Sequence, residues 1–141
     1  MATALNLTLK IKQDPETRAK LAKIKEIFAV EIQPEIDKAL REYDGVHYAR
    51  VLVIDDLYIQ VLTEFDGDKE VYTDFFRQRL PGVFAAIFSL GEGMPSWAEL
   101  NQKDTFYEHS QSLNVRALGS RPDDPNAGYL YQHFGNMTVK E

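Results

Sequence analysis

The segment VHYARVLVIDDLYIQVLTEFDGD, residues 46–68, decides the fold. Val46 to Ile54 and Tyr58 to Phe65 are both rich in β-branched and aromatic residues, and the Asp55-Asp56 pair between them is turn chemistry, so together they predict an antiparallel hairpin. Asp66-Gly67-Asp68 breaks the second strand. Successive strand side chains point to opposite faces. His47, Ala49, Val51, Val53, Ile59, Val61, Thr63 and Phe65 therefore belong to one face, and Tyr48, Arg50, Leu52, Ile54, Tyr58, Gln60, Leu62 and Glu64 to the other.

Upstream of the hairpin, Leu5, Leu7, Leu9 and Ile11 alternate with Asn6, Thr8 and Lys10, the period-two signature of a first strand. Asp14 is placed to cap a helix with Pro15 at its first position. Leu21, Ile24, Phe28, Ile32, Ile36, Leu40 and Tyr43 then follow at steps of three or four, one stripe for burial. Pro34 lies inside that stripe and predicts a kink or short break near Val30 to Gln33.

Downstream, Asp68 caps a helix carrying Val71, Tyr72, Phe75, Phe76 and Leu80, which Pro81-Gly82 terminates. Val83 to Leu90 is an apolar run of a length that suits a fourth strand. Ser96 with Glu99 forms a capping box for a helix holding Trp97 and Leu100. Asp104 is placed to cap another, carrying Phe106, Ser110, Leu113 and Ala117, with Gly119 as its stop. Residues 119–128 read as a loop, and Tyr129 to Phe134 as a short aromatic element, strand or helix.

The order β-α-β-β-α-β is the split βαβ, ferredoxin-like motif, an α+β arrangement with both helices on one side of a four-stranded antiparallel sheet. Residues 1–141 form a single domain in this reading, with a core over about 3–90 and a helical C-terminal extension over about 95–141. The sheet face turned away from the helices mixes apolar and polar side chains, and such patches mark an interface or a ligand site.

Composition narrows the function classes. A length of 141 residues permits burial of roughly two-thirds of the unfolded surface, so no disulfide or metal staple is needed. Twenty-two acidic against sixteen basic side chains give a formal charge of −6, which repels nucleic acid and anionic membrane surfaces. The basic cluster of Lys10, Lys12, Arg18, Lys20, Lys23 and Lys25 reads as a solvated helix face. Cysteine is absent from the sequence, which suits a reducing, cytoplasmic setting. No stretch approaches the ~20 apolar residues of a membrane span.

The element order over about residues 3–90 resembles the dimeric α+β barrel superfamily of ferredoxin-like proteins, in which two sheets face each other across a two-fold axis. A homodimer is what that resemblance implies. Val46-His47-Tyr48-Ala49-Arg50, Val53-Ile54-Asp55-Asp56 and Glu64-Phe65-Asp66-Gly67 are further similar to hairpins of dye-decolourising-peroxidase-related and uncharacterised ferredoxin-like domains. Those peroxidases carry a Gly-x-x-Asp-Gly string whose Asp assists peroxide cleavage over haem. Here the string is Thr63-Glu64-Phe65-Asp66-Gly67, with Thr in place of the first Gly. The resemblance makes Asp66 and Arg50 candidate catalytic residues, and haem the implied cofactor.

The residues themselves define a candidate ligand site. Arg50 can anchor a carboxylate, or pair with Glu64 across the hairpin, and Tyr48, Tyr58, Gln60 and Glu64 line the same face. The alternation sends His47 toward the helices as a core histidine needing a hydrogen-bond partner; if haem is held, His47, His109 or His133 is its ligand. Each histidine stands alone, so no zinc site is expected. Asp66-Gly67-Asp68 opens like a calcium loop, but Val71 occupies the position where glycine is demanded. The sequence thus points to a dimerising domain that binds a small molecule on its open sheet face. The alternative is an oxidative enzyme, haem-dependent and peroxidase-like or a cofactor-free monooxygenase.

Overall fold

The computed structural model describes residues 2–125, 127–133 and 138–139. The hairpin forms as its composition demands, with β2 over Val46–Ile54 and β3 over Tyr58–Phe65. Asp55 and Asp56 both adopt positive φ, 53° and 55°, the left-handed backbone of turns whose twist matches that of the strands. The Leu57 amide closes this turn on the Ile54 carbonyl at 2.9 Å.

β1, Thr3–Lys10, pairs antiparallel with β3, setting Leu5 opposite Thr63, Leu7 opposite Val61 and Leu9 opposite Ile59. On the other side of β3, Ala49, Val51 and Val53 of β2 face the same three residues. The sheet order is β1-β3-β2, and one face, including Leu5, Leu7, Leu9, Ile59, Val61, Thr63 and Phe65, is buried. One departure from simple alternation occurs at the start of β2. Val46 lies opposite Phe65 and Tyr48 opposite Glu64, so His47 is the extra residue of a β-bulge.

Asp14 caps α1, Pro15–Ile27, accepting the Thr17 amide at 2.9 Å, with Pro15 opening the helix. The break expected near Pro34 takes the form of one π-helical turn, Phe28–Ile32, before α2, Gln33–Arg41, starts with Pro34 near its N-terminus. The wider turn accommodates a proline that cannot donate the helical hydrogen bond. Phe28, Ile32, Ile36, Leu40 and Tyr43 all pack against the core, so the apolar stripe is continuous across the break.

Asp68 caps α3, Lys69–Arg79, through Oδ1, which accepts the amides of Glu70 and Val71. The fourth strand expected over Val83 to Leu90 is instead α4, Pro81–Phe88. Pro81 pre-sets the first helical turn. Val83, Phe84, Ile87 and Phe88 are buried, a spacing of one face of a helix and not of a strand. The described residues therefore form a three-stranded sheet, an α+β fold without the last strand of the βαββαβ order.

The outer edge of β1, where a fourth strand would pair, is covered at two points. The Lys12 amide donates to the Leu90 carbonyl at 2.9 Å and the Glu92 amide to the Lys10 carbonyl at 2.8 Å. At the other end Asn6 exchanges bonds with Asn114 and Val115: its amide donates to Asn114 Oδ1 at 2.7 Å, and its carbonyl accepts the Val115 amide at 2.8 Å. An exposed edge invites pairing with another chain, and these contacts occupy this one.

α5, Trp97–Leu100, is capped by Ser96, and α6, Lys103–Leu113, starts after Gln102 with no side-chain cap. The expected cap, Asp104, lies in the first turn of α6, where its charge suits the helix dipole. The helix ends at Leu113, short of Ala117 and Gly119, because Asn114 and Val115 leave it to bind the edge of β1. Beyond it, the described residues of 129–133 are neither helix nor strand; Phe134 of the expected aromatic element lies outside the described residues.

An aromatic chain joins the helices to the sheet. Phe65 stacks on Tyr72 at 4.2 Å, Tyr72 meets Phe76 at 4.6 Å, Phe76 meets Phe84 at 4.9 Å, and Phe84 meets Phe106 edge-on at 5.8 Å. Each such pair contributes about 0.5–1.5 kcal/mol beyond its buried area. α6 thus joins the same core as α3 and α4, on the side of Phe65, and the opposite sheet face is left to the C-terminal segment.

Candidate functional site

The bulge re-aims His47. With one residue added before Tyr48, its side chain does not enter the core; it lines a cleft together with Val46, Tyr48, Arg50 and Glu64. Ala2 closes one end, and Leu130, Gln132, His133 and Val139 of the C-terminal segment form the facing wall. The volume is about 700 Å³, within the range of small-molecule pockets. This corrects the expectation of a core histidine; bulges commonly re-aim a side chain in this way.

His47 finds its partner in Asp66, with Nε2 2.9 Å from Oδ1. The second oxygen of Asp66 accepts the Val139 amide at 2.9 Å. Burial acts to raise the Asp66 carboxyl, but the hydrogen bonds from His47 and Val139 and the nearby imidazole outweigh it and hold the group below its ordinary value. Asp66 therefore ties the bulge of β2 to the C-terminal segment through an ionised carboxylate.

Arg50 stands opposite Leu62 and Glu64 opposite Tyr48, so the two charged side chains are diagonal neighbours. Among the described residues no ion pair within 4.0 Å involves Arg50. Its charge is nonetheless felt: burial raises the Glu64 carboxyl, and Arg50 and His47 oppose that rise. The cleft thus presents a cation, a carboxyl group of raised proton affinity and an imidazole held by a second carboxylate.

Thr63 supports the cleft from beneath. Its hydroxyl donates to the Tyr48 carbonyl at 3.1 Å. A short contact joins the same hydroxyl to Tyr72, which must be the donor there because the Thr63 proton is already used. Tyr72 is fully buried, and burial raises its phenol.

Of the residues expected at a ligand site, the structure brings Tyr48, Arg50 and Glu64 together and adds His47 and His133. Tyr58 and Gln60 lie toward the turn of the hairpin, outside the cleft, where Gln60 donates to Thr8 Oγ1 at 3.1 Å. His109 sits on α6, away from the cleft. The walls supplied by Leu130 and Val139 carry no sequence signal, since only the path of the C-terminal segment brings them there.

Among the described residues no group of three or more His, Asp and Glu side chains is arranged to hold a metal ion, and no helix is long and apolar enough to cross a membrane. Compared with protein-family models, curated proteins and solved structures, the chain matches none.

Proposed function

We propose that this chain is a ligand-binding α+β domain, whose site is the cleft between the start of β2 and the C-terminal segment, and that it self-associates through the rest of its open sheet face. The observation that carries the reading is the cleft itself: a concave space of about 700 Å³ in which Arg50, Glu64 and His47 converge beside the apolar side chains of Val46, Leu130 and Val139. A few polar groups set among apolar walls are the usual makeup of a small-molecule site. Arg50 offers a fork of donors suited to a carboxylate. The ligand class is a small carboxylate with an apolar body.

Self-association is supported by what the C-terminal segment leaves uncovered. Leu52, Ile54, Leu57 and Tyr58 are all exposed near the hairpin turn, and exposed apolar side chains gathered at one end of a sheet are a feature of interfaces. The β-α-β-β-α order and the helices on one side of the sheet agree with a ferredoxin-like ancestry in which two open faces meet. The haem-dependent alternative has less in its favour. Both oxygens of Asp66 and the Nε2 atom of His47 are already engaged, so Asp66 serves to hold the hairpin to the C-terminal segment.

Saturation-transfer NMR against a set of small aromatic and aliphatic carboxylates tests the first part. Binding is expected, weakened about tenfold or more in Arg50→Gln; a wild-type chain that binds none of them at millimolar concentration removes the reading. Sedimentation velocity tests the second. A dimer at tens of micromolar that Leu52→Asp dissociates is expected, and a monomer at that concentration removes self-association.

A further inference from the structure

Holding a carboxylate needs Arg50 and an apolar wall, but it does not need the His47–Asp66 pair. We propose that the cleft is a proton-transfer site in which His47 is the general base for the C–H bond beside the ketone of a 2-oxo carboxylic acid, with Arg50 binding the carboxylate and Asp66 as the positioning residue. The proposal rests on the ligand-binding reading above and goes beyond it to a reaction.

The chemistry follows from which atoms are occupied. An ionised carboxylate only accepts hydrogen bonds, so Asp66 Oδ1 fixes the proton of a neutral His47 ring on Nε2. Nδ1 is then the nitrogen with a lone pair, the base. The Val139 amide holds the other oxygen of Asp66, which stops the carboxylate from turning and so sets both the tautomer and the ring orientation. A carboxylate orients a catalytic histidine in the same way when it holds Nδ1 and leaves Nε2 as the base; here the two ring nitrogens exchange roles. The side chain of His47 is 21% exposed, reachable by a ligand yet largely withdrawn from bulk water.

The bulge gives the pair its place. Without it, His47 would follow strict alternation onto the core face, three residues from an Arg50 on the opposite face; with it, both line one cleft. A 2-oxo acid matches the set group by group. Its carboxylate meets Arg50, and its apolar remainder lies among Val46, Leu130 and Val139.

In the step itself, His47 Nδ1 takes a proton from C3 of the ligand. The C–H electron pair forms the C2=C3 double bond, and the carbonyl π pair moves to the ketone oxygen, where the cationic guanidinium of Arg50 offsets the developing charge. Return of the proton to C3 or to the oxygen gives back the ketone or yields the enol. Nothing is oxidised or reduced, and no further reactant is consumed.

The test uses the full chain with phenylpyruvate in deuterated buffer, following loss of the C3 proton signal and, in the same sample, saturation transfer to the ring protons. Exchange is expected on the order of a hundredfold faster with wild type than with His47→Gln, while binding changes far less. Asp66→Asn is expected to lower the saturating exchange rate while the affinity for phenylpyruvate changes little, because the ring loses the carboxylate that sets its tautomer and orientation; Asp66→Glu should recover part of the rate. If phenylpyruvate binds but exchange is the same in wild type and His47→Gln, proton transfer is overturned and the ligand-binding reading stands. A saturating exchange rate unchanged in Asp66→Asn, or one that falls only in step with affinity, would overturn the positioning role. If phenylpyruvate does not bind at millimolar concentration while other carboxylates of the set do, the reaction falls and the carboxylate reading stands; if none binds, both fall.

Discussion

Asp66 Oδ1 lies 2.9 Å from His47 Nε2, so the residue that ends β3 is bonded to the residue that bulges β2. The same carboxylate holds the Val139 amide, and a single side chain thereby joins the hairpin to the chain's far end. Because these bonds keep the Asp66 carboxyl below its ordinary value, their stabilisation is complete above the unfolded value of about 3.9. It is lost as the pH falls through the folded value. Asp66→Asn should cost about 1 kcal/mol at neutral pH after allowance for solvent screening. Thermal melts at pH 7 and pH 3 should show the gap between variant and wild type narrowing in acid; a gap as wide at pH 3 as at pH 7 would show that the amide fails for reasons of shape and not of charge.

The Tyr72–Thr63–Tyr48 relay makes a second prediction. Thr63→Val leaves the Tyr72 hydroxyl buried without an acceptor, which costs about 1–3 kcal/mol, whereas Tyr72→Phe removes only a donor and costs about 1 kcal/mol. Joined in one network, the two changes together should cost less than their sum in a urea-unfolding cycle. Burial raises the Tyr72 phenol, so the unfolded chain releases this proton first, near pH 10, and stability declines as the pH rises beyond that. Tyr72→Phe should lack this part of the alkaline decline.

How much of this was legible in the sequence varies with the physics involved. β2 and β3 fall on the residues their composition indicates, because alternation and turn residues act locally. Asp14, Pro15 and Asp68 cap helices for the same reason. The run from Val83 to Leu90 misleads because an apolar stretch of eight residues satisfies either period; Pro81 at the first helical position is the clue that favours helix. The cleft was half legible. Tyr48, Arg50 and Glu64 follow from alternation, whereas His47 does not, since a bulge shifts one side chain without any marker in composition. The facing wall depends on contacts more than sixty residues apart in sequence, such as Val139 with Asp66, which no local pattern encodes.

Gly91 makes a third prediction at the guarded edge of β1. A Cβ there would lie 2.8 Å from Met94 Cγ and 2.9 Å from Leu9 Cδ2, and Leu9 is buried in the core. Gly91→Val should therefore cost about 1–3 kcal/mol through overpacking. Hydrogen exchange is expected to speed up at the Lys12 and Glu92 amides, which bridge this segment to β1, with Asn6 at the opposite end unaffected. Uniformly faster exchange would mean that the edge contacts are not a separable unit.

Glu64 makes the last prediction, because its environment opposes its charge. Burial raises the carboxyl against the pull of Arg50 and His47, so the folded protein holds the proton at a pH where the unfolded chain has released it. By linkage, stability falls as the pH rises from the ordinary glutamate range through the raised folded value, and at pH 7 the ionised group is a net cost. Glu64→Gln keeps the shape and removes the charge. It should melt slightly above wild type at pH 7 and lose that advantage near pH 3.5, where the carboxyl is protonated in both states. A variant that melts lower than wild type at pH 7 would show that attraction to Arg50 exceeds the cost of burial. The cleft would then hold an internal ion pair at neutral pH, and a ligand carboxylate would have to displace Glu64 from Arg50 before it could bind.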